Sequence, residues 1–237
     1  MLKQLQKDLR KLANPEKAKF LAGYFKTGKG EYGEGDVFLG ITVPKQREVA
    51  IRFKTLDLRE IQKLLDSKIH EERLVVLFVL VEKYRKADEK EKKVIFDFYI
   101  RNTGKINNWD LVDLSAPRIL GEYLLDKERS IIYKLARSKN LWERRIAVLT
   151  TFQFIRNNQF KDSLKIAELL LKDEYDLIHK AVGWMLREIG KRDQIIEEEF
   201  LQKYYKIMSR TMLRYAIERF DDKKRKFYLA KSHSGKR

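Results

Sequence analysis

Apolar residues recur at intervals of three and four along most of the chain. Ile61, Leu64 and Leu65 form one such group, Leu74, Leu77, Phe78 and Val81 a second, and Val94, Ile95 and Phe98 a third. This spacing puts each group on one stripe of an α-helix, and no alternating strand pattern competes with it. Asp57 and Asp88 precede helical runs as candidate caps, and Asn102-Thr103-Gly104 reads as a stop. Asn14 caps and Pro15 opens a helix carrying Phe20, Leu21 and Tyr24, which separates it from a helix before it. From Thr27 to Gly40 the run TGKGEYGEGDVFLG is too rich in glycine to hold a helix, and Val43-Pro44 begins the next one. The role of that loop beyond connection is left open.

The helical pattern also repeats. EERLVVL around Arg73, ERRIAVL around Arg145, HKAVGWM around Lys180 and, more weakly, LRYAIERF at Arg214 resemble one another. Arg73 and Arg145 lie 72 residues apart with Trp109 midway, and the next steps are 35 and 34 residues. Each step has room for two helices, so the period predicts stacked helical pairs curving around a concave surface. We therefore expect an all-α solenoid of HEAT-like helical-pair repeats in one domain over 1–230, followed by a basic, disordered tail over 231–237. In this register Arg73, Trp109, Arg145, Lys180 and Arg214 line one face as a mostly basic stripe.

Charge gives that stripe a purpose. The 237 residues carry 52 Lys and Arg against 35 Asp and Glu, a net charge of +17 and a pI near 9.8. Such an excess points to a polyanionic partner, nucleic acid before membrane, because phosphates reward many dispersed cations through counterion release. The absence of cysteine removes disulfides, thiolate nucleophiles and cysteine-based zinc sites. His70, His179 and His233 stand far apart without metal-ligand spacing and are expected at the surface, so no metal is expected. No P-loop or dinucleotide motif appears, so no nucleotide cofactor is expected either. Met1 to Leu12 is charged and amphipathic, unlike a signal peptide, and no apolar run is long enough for the membrane, so a cytoplasmic protein is expected. A repeat with its own groove can work as a monomer.

Two segments hold candidate chemistry. Asn107-Asn108-Trp109-Asp110-Leu111-Val112-Asp113 sets a tryptophan and a carboxylate four residues apart, on one face of a short helix. In isolation WDLVD is read first as a core aromatic, Trp109, with a surface or capping carboxylate, Asp113. Trp184 follows the stripe position Lys180 by four residues and is expected to face the same groove; Gly183 beside it suits close helix packing, and Arg187-Glu188 a surface salt bridge. Either Arg144 or Arg145 can fork across a phosphate, and the repeat register favours Arg145.

Taken together, WDLVD followed by Ser115-Ala116-Pro117 and Gly121, then NLWERRIAVL and KAVGWMLREIGK, resemble the AlkD-like DNA alkylation repair glycosylases. The resemblance extends back through NPEKAKFLAGYF and FLGITVPKQR and so spans nearly the whole chain. It implies a right-handed superhelix with a basic concave groove, and hydrolysis of the N-glycosidic bond of positively charged N3- and N7-alkylated purines in double-stranded DNA, as in base excision repair. By position it implies Asp113 as the catalytic aspartate, Trp109 and Trp184 as the active-site tryptophans, Arg145 as a phosphate contact and Tyr24 as an aromatic near the DNA. Arg73, Lys180 and Arg214 join the DNA-binding set through the stripe. The competing expectation is a non-enzymatic helical-repeat protein that binds nucleic acid or scaffolds acidic proteins; the joint presence of Trp109, Asp113 and Trp184 weighs against it.

Overall fold

The computed structural model describes residues 1–231. Of the expected disordered tail over 231–237, Lys231 is the last residue of a helix, and the rest, with His233, lies outside the described residues. Among these the chain forms fourteen α-helices joined by short turns, with a single isolated β-bridge between Val37 and Ile69. The all-α expectation holds. The helices fall into two compact units, one over Met1–Ser115 and a second beginning at Ala116.

The first unit contains α1 (Leu2–Lys11), α2 (Pro15–Tyr24), α3 (Val43–Arg52), α4 (Leu58–Leu65), α5 (His70–Lys86), α6 (Glu89–Arg101) and α7 (Trp109–Ala116, its last residue in the second unit). Their starts follow from local chemistry. The Asn14 side chain accepts the Lys17 N–H at 2.9 Å, and Pro15 follows it where no amide is needed. Asp57 and Asp88 each close a reciprocal capping box, with Glu60 and Glu91 respectively, and accept N–H groups at 2.8 Å. The central helix α5 packs against α1, α3, α4 and α6. Ile61, Leu64, Leu65, Leu74, Leu77, Phe78, Ile95 and Phe98 are buried as their spacing predicts, whereas Val94 stays exposed.

The second unit contains α8 (Ser130–Ala136), α9 (Leu141–Arg156), α10 (Lys161–Leu169), α11 (Asp176–Gly190), α12 (Gln194–Tyr204), α13 (Arg210–Ala216) and α14 (Asp222–Lys231). A π-helical turn over Pro117–Gly121 precedes them, where proline's missing N–H interrupts the α-helical ladder. Here α9 packs on α8, α10 and α11, while α11 packs on α12 and α13. Gly183 is what lets α11 meet α13, since a Cβ there would lie 2.4 Å from the Met212 carbonyl.

The glycine-rich segment is more than a connection. Val37 exchanges backbone bonds with the entry to α5, accepting from His70 N–H at 2.9 Å and donating to the Lys68 carbonyl at 3.0 Å. The Glu71 carboxylate, fully buried, accepts the N–H groups of Leu39, Gly40 and Ile41 at 2.9, 2.8 and 3.2 Å. Gly40 adopts φ +81°, and a Cβ there would lie 2.2 Å from the Asn14 carbonyl. Only glycine satisfies both conditions. Gly40→Ala is accordingly expected to lower unfolding free energy by at least ~2 kcal/mol in urea titration. Gly23→Ala, on exposed α2 with open space around it, is expected to do the opposite, by about 0.5–1 kcal/mol.

Candidate active site

Trp109 and Asp113 stand one turn apart on α7, both half-buried. Behind Trp109 lies an aromatic layer made by distant segments. Phe25 stacks on it at 5.0 Å with rings 10° from parallel, and Tyr24 meets it edge-on at 6.1 Å. Phe38 stacks on Phe25 at 5.0 Å and on the His70 ring at 4.5 Å. Tyr24 itself remains exposed. Beneath Asp113 the Tyr99 hydroxyl is buried and hydrogen-bonded to Ser115 at 2.8 Å. Burial first, and then the Asp113 charge, push the Tyr99 phenol above its ordinary range, which keeps it neutral.

The first turn of α7 is clamped through Asp110. His70, at the first position of α5, is buried and bonded at both ring nitrogens, Nδ1 to Asp36 at 2.9 Å and Nε2 to Asp110 at 2.8 Å. Arg73, equally buried, pairs with the other Asp36 oxygen at 2.6 Å and donates to the Ser67 carbonyl at 2.8 Å. Two cations and two carboxylates thus make a neutral set inside the first unit. Burial would depress the His70 pKa, but the Asp110 and Asp36 carboxylates outweigh it and raise it to about 9. Burial likewise opposes ionisation of Asp36, whose hydrogen bond from His70 and proximity to Arg73 nonetheless hold its pKa below the usual carboxylate value.

These positions correct two expectations. His70 is interior, because its two ring nitrogens satisfy the buried Asp36 and the half-buried Asp110 carboxylates; His179 is half-buried with Nε2 2.5 Å from the Asp173 carbonyl. Arg73 does not belong to an exposed basic stripe, since Asp36 and the Ser67 carbonyl hold its guanidinium inside.

In the second unit Arg144 is held by Asp173 at 2.6 Å and by the carbonyls of Ser138 and Lys139. Arg145 is buried too, with Nη1 donating to the Leu177 carbonyl at 2.6 Å across the α9–α11 contact. Lys180 and Arg214 are on the outside, partly and largely exposed respectively, Lys180 within 2.8 Å of Asp176. Trp184 is half-buried, 5.8 Å from the Phe152 ring, and donates to Glu188 at 3.1 Å. Arg187 pairs with Glu188 and Glu218.

Counting from the helix starts revises the repeat register. Arg145, Lys180 and Arg214 are each the fifth residue of α9, α11 and α13, and the fifth residue of α7 is Asp113, with Trp109 the first. A carboxylate therefore occupies in α7 the place that later repeats give to cations.

The family model for DNA alkylation repair enzymes matches residues 5–220. The chain belongs to that family. A predicted DNA alkylation repair enzyme from Enterococcus faecalis shares its fold, with a TM-score of 0.71 and 20% identity over 89% of this chain and 97% of the other. AlkD2 from Streptococcus mutans superposes with a TM-score of 0.57 at 20% identity, over 87% of this chain and 99% of that one. No curated protein matches the sequence.

For a member of the alkylation repair family, the clamp is the part that sequence reasoning missed. Asp36, His70, Arg73 and Asp110 come from the glycine loop, α5 and α7, with no shared local period. The one signal available was the concentration of His70, Glu71, Glu72 and Arg73 at the start of an otherwise apolar helix. Among the described residues no helix is long and apolar enough to cross a membrane.

The raised His70 pKa sets a pH signature. Its stabilisation is full below the unfolded value of 6.5 and is lost as pH rises through about 9. The stability margin of wild type over His70→Asn is expected to shrink by a few kcal/mol between pH 6 and pH 10 in chemical denaturation. A margin independent of pH would show that the fold leaves the His70 pKa at its unfolded value, and a margin that grows from pH 6 to pH 8 would show that the fold holds the ring neutral.

Proposed function

We propose that this protein is a DNA glycosylase that releases N3- and N7-alkylated purines from duplex DNA, with Asp113 as the catalytic carboxylate. One observation carries the reading: in a chain of net charge +17, the repeat position filled by Arg145, Lys180 and Arg214 is filled in α7 by Asp113, one turn from Trp109. A carboxylate there repels phosphate, so its use is for positive charge. Alkylation at N3 or N7 makes the base cationic and a good leaving group, and as it departs the deoxyribose becomes oxocarbenium-like. An anion and an electron-rich aromatic face are what stabilise that transition state.

In this mechanism the C1′–N9 bond breaks with its electron pair passing to the purine, which leaves neutral. A water oxygen bonds to C1′, and its proton passes to the Asp113 carboxylate and then to solvent. Trp109, backed by Phe25, presents its face to the sugar. Trp184 contributes a second aromatic face to the DNA, and Tyr24 a contact beside Trp109. Lys180 and Arg214 bind phosphates as exposed cations. Arg145 adds a guanidinium whose orientation is fixed by the Leu177 carbonyl. No base-flipping pocket is needed, because lability and charge select the lesion. The work is done as a monomer without cofactor or metal.

Asp113→Asn is expected to abolish release of free base from a duplex containing one N7-methylguanine while keeping DNA affinity within a few-fold. Turnover at the wild-type rate by this variant would remove Asp113 from the mechanism. Arg214→Ala should weaken binding without loss of stability and reduce the slope of log K against log salt by about 0.9. An unchanged slope would show that Arg214 contacts no phosphate.

A further inference from the structure

The helix α2 is built unlike the others around it. None of its residues is buried, and it carries two large aromatic side chains in the open, Phe20 at 70% and Tyr24 at 57% exposure. A helix one turn of which shows two exposed rings leaves apolar surface wet at a cost of roughly 25 cal/mol per Å². The rings are also ordered with respect to each other. Phe20 and Tyr24 lie 6.2 Å apart and 14° from parallel, as an i, i+4 pair, and Tyr24 abuts Trp109 at 6.1 Å. Phe20, Tyr24 and Trp109 thus form one row of rings, leading from solvent to the tryptophan beside Asp113. Lys17 and Lys19 flank Phe20 on the same exposed helix.

We propose that the Phe20–Tyr24 face of α2 is a stacking surface for an unpaired nucleobase of DNA. The occupant follows from the surroundings. A flat, sequence-tolerant ring surface between lysines suits a base with its phosphates, since every base has a π-face and every nucleotide a negative charge. Its continuity with Trp109 puts that base next to the place where the glycosidic bond is cut. The inference rests on the glycosylase reading and deepens it: the protein takes hold of a base that has lost its pairing, which a cationic alkylpurine and the base opposite it do more readily than an intact pair.

The test compares two duplexes identical except that one carries a single unpaired base, titrated by fluorescence anisotropy with full-length protein. Wild type should bind the duplex with the unpaired base more tightly. Phe20→Ala should lower that affinity by about 5- to 150-fold, the range of one lost base–aromatic stack, and leave the fully paired duplex within about twofold. Phe20→Trp should restore the preference, and circular dichroism should show both variants folded. Equal binding of the two duplexes by wild type, or equal loss on both by Phe20→Ala, overturns the proposal. Base release from N7-methylguanine DNA by the same wild-type preparation separates the two readings. Release without a preference for the unpaired base leaves the glycosylase standing and removes the stacking surface. Absence of both release and DNA binding removes both.

Discussion

Four charged groups in the first unit, three of them buried and Asp110 half-buried, determine where Trp109 and Asp113 stand. His70 bridges Asp36 and Asp110, and Arg73 neutralises the second oxygen of Asp36. Any one of these left without its partner would be an uncompensated charge in the interior, costing about 3–5 kcal/mol. The set is neutral only when the glycine loop, α5 and the first turn of α7 are all in place, so the charges enforce a single arrangement of three segments. Asp110 is the neighbour of Trp109 and precedes Asp113 by three residues; holding it fixes the rotation of α7. The proposed carboxylate and its tryptophan are therefore set by the anchoring of a residue that lies between them on the same turn of α7.

The same clamp explains the loop. A segment with glycines at five of its fourteen positions between Thr27 and Gly40 pays a high entropy to be ordered. It is ordered because Asp36 belongs to the charge set, Val37 pairs with the entry to α5, and the carboxylate of Glu71 gathers three consecutive N–H groups. The loop in turn supplies Phe38, which packs on the His70 ring and on Phe25, and Phe25 supports Trp109. Polar closure and aromatic packing are two sides of one structure.

Much of this was legible in the sequence where the governing interactions are local. The caps Asn14, Asp57 and Asp88, the helical stripes, and the pairing of Trp109 with Asp113 all act over three or four residues. The tight α11–α13 contact at Gly183 was also readable, because a lone glycine in a strong helix needs a packing reason. The clamp was not legible: Asp36 lies 34 residues from His70, and Asp110 lies 40. The charge stripe was half legible. Arithmetic on the repeats located the right helices, but Asn102–Asn108 between α6 and α7 shifts the phase by one turn, so that Asp113 and not Trp109 shares the register of Arg145. Burial of Arg73 and Arg145 follows from acceptors supplied by other segments, which spacing does not reveal.

The most direct test of the account is the chemical identity of what leaves damaged DNA. Duplex DNA carrying a single N7-methylguanine is incubated with the protein, and the small-molecule fraction and the strand are separated by chromatography. The account predicts intact N7-methylguanine in solution and an abasic site in the strand. A strand that retains its base as unmodified guanine, with the methyl group gone, would contradict cleavage at C1′ and with it the role given to Asp113.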